Sequence, residues 1–522
     1  GTVERLAVRR VFLALRNDGD RHQFDVRADF PAAVCVGCRF SADFTGQPFV
    51  DRDWSGTIRV QARELVLQAL PRALRTLLPA GVDGRVRLDL ISDWRRGRPV
   101  VVEGRLGAQG LSLPLTDSPR VVTLQRFDTD IDWRGSAEAG RLELDNLSLG
   151  LTREPWRAGR LQLAYGRERF SAAVERIDVA DLAAFAATLE HDNAVMRWVR
   201  AAQPLGTIED AAVEFDGPVR TPRDYRIEAQ LRSVGFTAVD RIPGLSALSG
   251  RLRVTPAGGE FALASGAGRI DLPRVFEEAL EVDRMAGRIR WRRADGDWLV
   301  QADDIVLTND DGRAEGELEL RLPADPTLSP VIRVQATVRD GDAAHTGRYV
   351  PRILPPALRA YLGDAIVAGR VSEASVLLQG ALRNFPFRDG NGRFEVHAHV
   401  EDGVFRYLPG WAALESIDAD LRFTGTDMLI TGRSGRIGAL RVGRTTVAIA
   451  DFKAPDGPMV QVASRMTGPL ADSLKVLADS KSPAFSPWLV PGLAASGDGV
   501  LALAIDLPLR TLKPAIDGHY RL

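Results

Sequence analysis

The stretch FPFRDGNGRFEVHAHVEDGVFRYLPGW, residues 385–411, alternates between apolar and polar side chains. In an extended strand, Phe394, Val396, Ala398 and Val400 point to one face, and the polar residues between them point to the other. Glycine-containing turn sequences bound the run on both sides. The stretch therefore predicts a β-strand with one apolar face, and it raises the question of what that face contacts.

The same alternation recurs along the chain and predicts a mainly β protein. GELELRLP at 316–323 and VIRVQATVRDG at 331–341 each place their apolar residues on one face. RLELDNLSLG at 141–150 alternates, slips by one residue and alternates again, which predicts a β-bulge. GRIRWRRADGDWLVQADDIVL at 287–307 predicts a hairpin that turns at ADGD.

Alternation also selects the residues that we expect to line the apolar side of the sheet. A register shift of one residue would reverse such an assignment, so each one depends on the pairing of its strand. The predicted lining residues are Leu142, Leu144, Ile289, Trp291, Leu318, Leu320, Ile332, Val334, Val338, Phe394, Val396 and Val400.

Composition limits the classes of partner. The 522 residues include 68 basic and 69 acidic side chains, so the chain lacks the basic footprint of a nucleic-acid-binding protein and we expect no such partner. No run approaches the roughly 20 apolar residues of a membrane-spanning helix. No signal peptide opens the chain, and both ends read as interrupted strands, so we expect a fragment of a longer protein.

Helical patterns are few and short, and some of them repeat. LPRALRTLL at 70–78 matches LPPALRAYL at 354–362, and GTIEDAAVEFDG at 206–217 matches GRVSEASVLLQG at 369–380. A looser version occurs at 492–505. Such internal repetition favours a quasi-one-dimensional assembly. The predicted helices cover residues 62–78, 181–202, 352–367 and 469–479.

More than about twenty strands need either several sandwiches or one extended sheet that curls around its own apolar lining. No Gly/Ser-rich or Pro-rich linker separates modules, which favours the continuous sheet. We therefore predict one continuous, repeat-built antiparallel sheet over residues 1–522. Its approximate sub-repeats are 1–80, 81–205, 206–368, 369–491 and 492–522.

Cys35 and Cys38 are the two cysteines of the chain. Zinc would need two more ligands, and no further Cys or His pair has a suitable spacing. A thioredoxin-like site needs the motif at a helix N-terminus, whereas the sequence that follows predicts a strand. The pattern favours structural thiols, with a local disulfide or redox or metal chemistry as the alternatives.

No motif predicts catalysis, a cofactor or a metal. His397 and His399 share a strand face, but a third ligand is not nearby, so we interpret them as solvated. TNDDGRAEG at 308–316 contains Asp310 and Asp311 but lacks the ligand spacing of a calcium loop, so it predicts a turn. G-x-S-x-G, H-E-x-x-H and P-loop motifs do not occur.

Four pieces of sequence together resemble the AsmA-like proteins of Gram-negative bacteria, specifically the YhdP branch, which is related to TamB. The resemblance is strongest over residues 285–455, and two departures accompany it. The transmembrane helix and the longer C-terminal section usual in that family are not in this sequence, and Ala412 stands where Pro commonly follows the Trp. The four pieces are YVPRILPPALRAYL at 349–362, GRVSEASVLLQG at 369–380, FPFRDGNGRFEV at 385–396 and YLPGW at 407–411.

The resemblance implies a long, U-shaped β groove in the periplasm, similar to bridge-like lipid transfer proteins. Phospholipid acyl chains would lie on its apolar inner side while the headgroups stay in water. It further implies an inner-membrane anchor N-terminal to this sequence and contact with the outer membrane, or its proteins, through a C-terminal part.

Two other functions remain open from the sequence. The same β fold could act as a scaffold that binds strands of outer-membrane proteins along an exposed sheet edge. A carbohydrate-active enzyme would require paired carboxylates roughly 5–10 Å apart in a cleft. The discriminating observation is whether the purified protein carries lipid or captures unfolded strands.

Overall fold

The structure is a computed structural model that describes residues 8–47, 53–71, 75, 78, 80–114, 121–150, 156–189, 194–217, 223–240, 242–325, 327–479 and 496–521. The chain divides into two compact units. Unit 1 comprises Gly1–Val239 and Ser246–Pro256, and unit 2 comprises Asp240–Leu245 and Ala257–Leu522.

Strands dominate both units, and the 29 strands found among the described residues belong to one antiparallel sheet. The first fourteen are β1 (Arg9–Asp18), β2 (Arg21–Asp29), β3 (Cys35–Val36), β4 (Arg39–Thr45), β5 (Ser55–Val66), β6 (Asp83–Arg95), β7 (Arg98–Pro114), β8 (Val121–Gly135), β9 (Gly140–Gly150), β10 (Trp156–Tyr165), β11 (Arg169–Asp178), β12 (Leu205–Asp216), β13 (Asp224–Phe236) and β14 (Gly244–Thr255). The other fifteen are β15 (Gly258–Ser265), β16 (Gly268–Asp271), β17 (Leu280–Val282), β18 (Arg284–Ala294), β19 (Asp297–Asn309), β20 (Gly312–Leu322), β21 (Val331–Asp342), β22 (Ile366–Ala381), β23 (Gly392–Phe405), β24 (Leu414–Thr424), β25 (Asp427–Ile437), β26 (Leu440–Ile449), β27 (Met459–Pro469), β28 (Asp498–Pro508) and β29 (Ala515–Arg521).

The strands follow one another as a long meander, and most of them pair with the next strand in the chain. The exceptions are local: β2 pairs with β4, β3 with β5, β14 with β16 and β15 with β18. Among the described strands, β1 pairs with β2 alone and β29 with β28 alone, so the sheet does not close on itself. The prediction of a mainly β protein built on one continuous antiparallel sheet is therefore confirmed. The sub-repeat boundaries stay a prediction.

Two local features of the sheet match the sequence. In β9, Leu144 pairs with Leu161 and Leu147 pairs with Gly159, so the two intervening residues of β9 oppose Arg160 alone on β10. Asn146 takes up the extra residue with a φ of +53°, which confirms the predicted bulge. The β18–β19 hairpin turns at Asp295 and Gly296, with φ angles of +55° and +88°. Two consecutive positive φ angles are typical of a tight hairpin turn.

Helices occupy a small part of the described chain. Three short 3-10 helices also occur, at Leu67–Ala69, Ala343–Tyr349 and Leu382–Asn384. The α-helices are α1 (Val179–Leu189), α2 (Ala194–Ala202), α3 (Pro356–Ala365) and α4 (Leu470–Asp479).

The predicted helix at 62–78 is wrong over its first turn. Residues 62–66 belong to β5, because Ala62 and Leu65 pair with Leu88 and Val86 of β6 and are held by that strand ladder. Most of residues 72–79 lie outside the described residues, so this end of the prediction is not settled.

The other three predicted helices occur with adjusted bounds. The helix expected at 181–202 is two helices, α1 and α2, and residues 190–193 between them lie outside the described residues. The helix expected at 352–367 is shorter, because Pro355 is the N-cap and Pro356 the first residue of α3, and because Ile366 already pairs with Phe405. The helix expected at 469–479 is confirmed as α4.

Cys35 and Cys38 form a disulfide, with their Cα atoms 6.1 Å apart. The expectation of free structural thiols is therefore wrong, and the local disulfide is correct. Gly37, with a φ of +67°, makes the tight turn that brings the two cysteines together.

Candidate functional site

The predicted lining residues of unit 2 share one face of the sheet. Residues directly opposite each other on antiparallel strands point to the same side, so the strand register defines the face. One row of paired residues is Phe261, Ile289, Ala302, Leu318, Val334, Leu378 and Phe394. A second row is Trp291, Val300, Leu320, Ile332, Gly380 and Gly392. We call this side of the sheet the apolar face and the opposite side the polar face.

A third row crosses twelve strands of unit 2, from β18 to β29, and contains only apolar side chains. On β23 the row passes through Ala398. Val396 and Val400 lie two residues before and after Ala398, so they point to the same side of the sheet. The row is Met285, Leu307, Ala314, Val338, Ala374, Ala398, Leu421, Ile430, Val447, Val462, Ile505 and Ile516.

Unit 1 carries the same kind of face. Leu142 lies two residues from Leu144 on β9 and therefore on the same side. The row through Leu144 is Leu13, Val26, Phe40, Val60, Leu90, Gly104, Ile131, Leu144, Leu161, Val174 and Ala211. All twelve predicted lining residues thus lie on the apolar face of their own unit.

Most of these side chains are only half-buried. Leu144 is buried, with 9% of its surface exposed, and the other eleven predicted residues are of intermediate exposure. A second packed layer, as in a sandwich, would bury such residues almost completely. The exposure therefore favours an apolar face that is open to a ligand over an ordinary sandwich core.

Ion pairs and hydrogen bonds cover the polar face. Gln301 Nε2 donates to Glu319 Oε2 at 3.0 Å, and Arg290 pairs with Asp303. Arg393 Nε donates to Glu395 Oε1 at 2.6 Å, and this hydrogen bond holds the pKa of Glu395 below its usual value. Such exposed pairs are individually worth little, so their main consequence is a well-hydrated outer surface.

The two strand histidines lie on this polar face. His397 is exposed, and His399 Nδ1 lies 3.0 Å from Asp420 Oδ1, which also pairs with Arg433. Within the described part of the chain, no group of three or more His, Cys, Asp or Glu residues is arranged to hold a metal. Asp310 and Asp311 form the turn between β19 and β20, as their sequence predicts.

Apart from the 3-10 helix at Leu382–Asn384, which follows β22, the described helical connections lie at one rim of the sheet in each unit. In unit 1 they follow β5 and β11, and in unit 2 they follow β21 and β27. The members of each pair are six antiparallel steps apart, so their connections leave the sheet on the same side. We call this side the helical rim and the opposite one the turn rim.

These connections fold onto the apolar face. In unit 1, Leu67 of the first 3-10 helix is buried against Val86 and Ala108, which are opposite each other on that face. The Trp198 ring of α2 packs edge-on against Phe236, with centroids 5.6 Å apart. Leu67 is 5% exposed, so the 3-10 helix shields this point of the apolar face from solvent.

In unit 2, the connection between β21 and β22 covers the helical rim of the apolar face. We call residues 343–365, which include the second 3-10 helix and α3, the lid segment. Ala343 is 4% exposed, and its Cβ lies 3.3 Å from the place that a Cβ on Gly369 would take. The Tyr361 ring packs edge-on against Phe405, with centroids 6.3 Å apart. The lid segment therefore lies on the β22–β23 hairpin.

The FPF element, residues 385–387, covers the turn rim of the β22–β23 hairpin. Phe387 is 6% exposed, and its ring lies directly over the paired glycines Gly380 and Gly392 of the apolar face. Phe385 packs edge-on against Phe394, with centroids 5.2 Å apart. The FPF element is therefore an aromatic cover on the rim of the face.

Sequence reasoning missed these rim residues because they lie outside the alternating strands. Phe385 and Phe387 flank a proline in a connection, and the glycines that receive Phe387 read as turn residues. The available signal was the pair of glycines that occupy apolar-face positions opposite each other, which predicts that another group covers them.

None of the described helices is long and apolar enough to cross a bilayer.

The fold and the face together define a class: an open, antiparallel β-sheet protein whose long apolar face is only partly covered. The model of the family described as "YhdP protein" matches residues 3–522, so the chain belongs to the YhdP family. This confirms the resemblance found in the sequence. No solved structure matches the chain significantly.

One relative is the "Intermembrane phospholipid transporter YhdP" of Escherichia coli (strain K12). This chain is 23% identical to it over 412 residues. The match covers 72% of this chain and 32% of the relative, so the chain spans about a third of the relative's length.

Proposed function

We propose that this chain is a section of a conduit that carries phospholipids between two membranes with their acyl chains on the apolar face. The observation that carries the proposal is the continuity of that face, which crosses twelve consecutive strands in unit 2 with apolar side chains, of which all but the buried Met285 and the exposed Ile516 are half-buried. The name of the E. coli relative, an intermembrane phospholipid transporter, agrees with this use.

The energetics favour such a face. Each CH₂ group removed from water is worth about 0.8 kcal/mol, so a 16-carbon acyl chain costs on the order of 10 kcal/mol to expose. An apolar path removes most of that cost at every position. Tight headgroup recognition would hold the lipid in place, whereas apolar contact without it leaves the lipid free to move.

We place the chain in the periplasm, with an inner-membrane anchor and an outer-membrane contact supplied by other parts of a longer protein. The Cys35–Cys38 disulfide supports this location, because disulfides persist in oxidising compartments such as the periplasm. No step of the proposed transport uses a covalent change, a cofactor or a metal.

The first test is to purify the chain gently, extract it with organic solvent and identify bound lipids by mass spectrometry. We expect several phospholipids per chain in the wild type and fewer in Val396→Asp or Leu320→Asp, because a carboxylate on the apolar face is costly to desolvate. The matched control is His397→Asp, which places the same charge on the polar face of the same strand.

Two results would count against the conduit. A folded, lipid-free wild type would indicate that the apolar faces do not hold lipid, and capture of unfolded outer-membrane strands by such a protein would support the scaffold. Equal lipid content in Val396→Asp, Leu320→Asp and the wild type would show that bound lipid lies elsewhere.

A further inference from the structure

The β22–β23 hairpin is covered from both rims of the apolar face. The lid segment covers its helical rim through Ala343 and Tyr361, and Phe387 covers its turn rim. Between the two rims, Val396 and Ala398 keep intermediate exposure, like Phe423 of the neighbouring β24. A lipid that moves along this face therefore meets a path at β22–β23 that is covered at both rims and half-exposed between them.

A buried carboxylate fastens the lid segment. The Asp311 side chain, on the β19–β20 turn, is only 4% exposed. Arg348 Nη1 lies 3.0 Å from Asp311 Oδ2, the Tyr349 hydroxyl donates to the same oxygen at 2.9 Å, and His345 Nδ1 lies 2.7 Å from Oδ1. All three partner residues belong to the lid segment.

The cluster acts as a unit because Arg348 and Tyr349 donate to the same Asp311 oxygen, while His345 lies against the other oxygen. Asn309 Nδ2 donates to the Tyr349 hydroxyl at 2.9 Å, which leaves that hydroxyl proton for Asp311. Burial raises the pKa of Tyr349, which keeps the phenol neutral and able to donate. If the lid segment moved away, Asp311 would lose three partners together, so the contact is either made or broken as a whole.

The far end of the lid segment has a separate attachment. Arg359 Nη2 lies 3.2 Å from Glu277 Oε2, and Glu277 is exposed. Arg352 donates to the Pro273 carbonyl at 2.8 Å. The Arg352 backbone N–H also donates to the Val275 carbonyl at 2.7 Å, and the Arg359 side chain is only 14% exposed. These contacts hold the far end of the lid segment, and the Asp311 cluster holds the end that follows β21.

We propose that the lid segment is a hinged gate over the apolar face at β22–β23, and that Asp311 is its latch. The gate rests on the proposed conduit, because it acts on lipid that moves along the face. Release of the three Asp311 contacts lets the lid segment turn about its far-end contacts at Arg352 and Arg359 and exposes more of the half-buried Phe405 ring.

The test uses the full chain with Asp311→Asn and a matched control, Asp310→Asn, which makes the same change at the exposed neighbouring residue. Hydrogen–deuterium exchange follows the amides of residues 343–365. In a second arm, photoreactive benzoylphenylalanine replaces Phe405 under the lid segment or Phe423 on the open face. The chain is then illuminated with vesicles of phosphatidylethanolamine and phosphatidylglycerol.

We expect Asp311→Asn to raise exchange in residues 343–365 by about tenfold or more and to leave the strands β18–β23 unchanged. Lipid cross-linking at position 405 should rise severalfold, and cross-linking at position 423 should stay constant. Asp310→Asn should behave as the wild type. Tyr349→Phe removes one donor and keeps the ring, so it should raise exchange and cross-linking by a smaller amount. It replaces Asp311→Asn in the test if that variant does not fold.

Each contrary result has its own meaning. Unchanged exchange in residues 343–365, or an equal rise throughout β18–β23, would overturn the latch. Exchange that rises without more lipid at position 405, while position 423 is labelled, would overturn the gate. A wild type with no lipid at position 423 would overturn the conduit itself.

Discussion

At the scale of single residues, the paired glycines under Phe387 show how a side chain can be excluded by a neighbour. A Cβ on Gly392 would lie 2.6 Å from the Gln379 carbonyl oxygen and 2.6 Å from Phe387 Cε1. We expect Gly392→Ala to lower the free energy of unfolding of unit 2 by about 1–3 kcal/mol, because the ring must leave its site. Urea unfolding followed by tryptophan fluorescence measures this change.

The control is Gly266→Ala, where a new Cβ would meet no atom within 4 Å. The double variant Gly392→Ala with Phe387→Ala separates the two contributions, because the clash with the ring disappears when the ring is absent. Additive effects of the two substitutions would show that the ring does not rest on Gly392.

A second residue-scale prediction concerns acid. Arg21 Nη2 pairs with Asp43 Oδ2 at 2.6 Å, and this hydrogen bond, with a second from Gln23, lowers the pKa of Asp43 from 3.8 to about 2. A depressed pKa in the folded state gives stability that is present above the unfolded pKa and is lost as pH falls through the folded one. Unit 1 should therefore lose this contribution between about pH 4 and pH 2.

Acid titration of stability in Asp43→Asn, compared with the wild type, isolates that loss. The wild type should lose more stability than Asp43→Asn over this range, and the difference should shrink in high salt, since the pair is exposed. Asp20→Asn, at an exposed position in the adjacent turn, is the control. Parallel curves for the wild type and Asp43→Asn would show that the pair contributes nothing.

At the scale of elements, the disulfide joins β3 to the residue before β4 across a very short loop. Since the loop is short, the loop-entropy model gives its removal a cost of about 2 kcal/mol. We expect Cys35→Ala with Cys38→Ala, or a reducing agent, to lower the thermal midpoint of unit 1 without changing bound lipid. A reducing agent should have no effect on the double variant, and a loss of lipid would indicate a functional role for the disulfide.

The sequence predicted strand elements better than it predicted connections. Leu318, Leu320 and their counterparts are on one face because side chains alternate with a fixed period, so local pattern alone decides their side. Residues 62–66 were misassigned because an apolar strand and an amphipathic helix can share a pattern over one turn. Asp311 and Phe387 could not be placed, since their partners depend on contacts between separate connections.

At the scale of the whole chain, the length of the apolar face predicts how many lipids bind and which part of the lipid is bound. The rows in both units contain apolar side chains and small glycines, with no buried cation that would fix a phosphate among the residues named in them. Lipid should therefore bind by its acyl chains at many overlapping positions. The number bound should depend on the length of face that is free and should depend only weakly on the headgroup.

Native mass spectrometry after incubation with lipid measures this number directly. We expect a distribution of lipid counts that shifts upward with lipid concentration and is similar for phosphatidylethanolamine and phosphatidylglycerol. Leu144→Asp should remove part of the load and Val396→Asp another part, because each charge interrupts the face of its own unit. A single bound lipid with a strong headgroup preference would instead indicate one discrete pocket, and the path that we infer along the sheet would not exist.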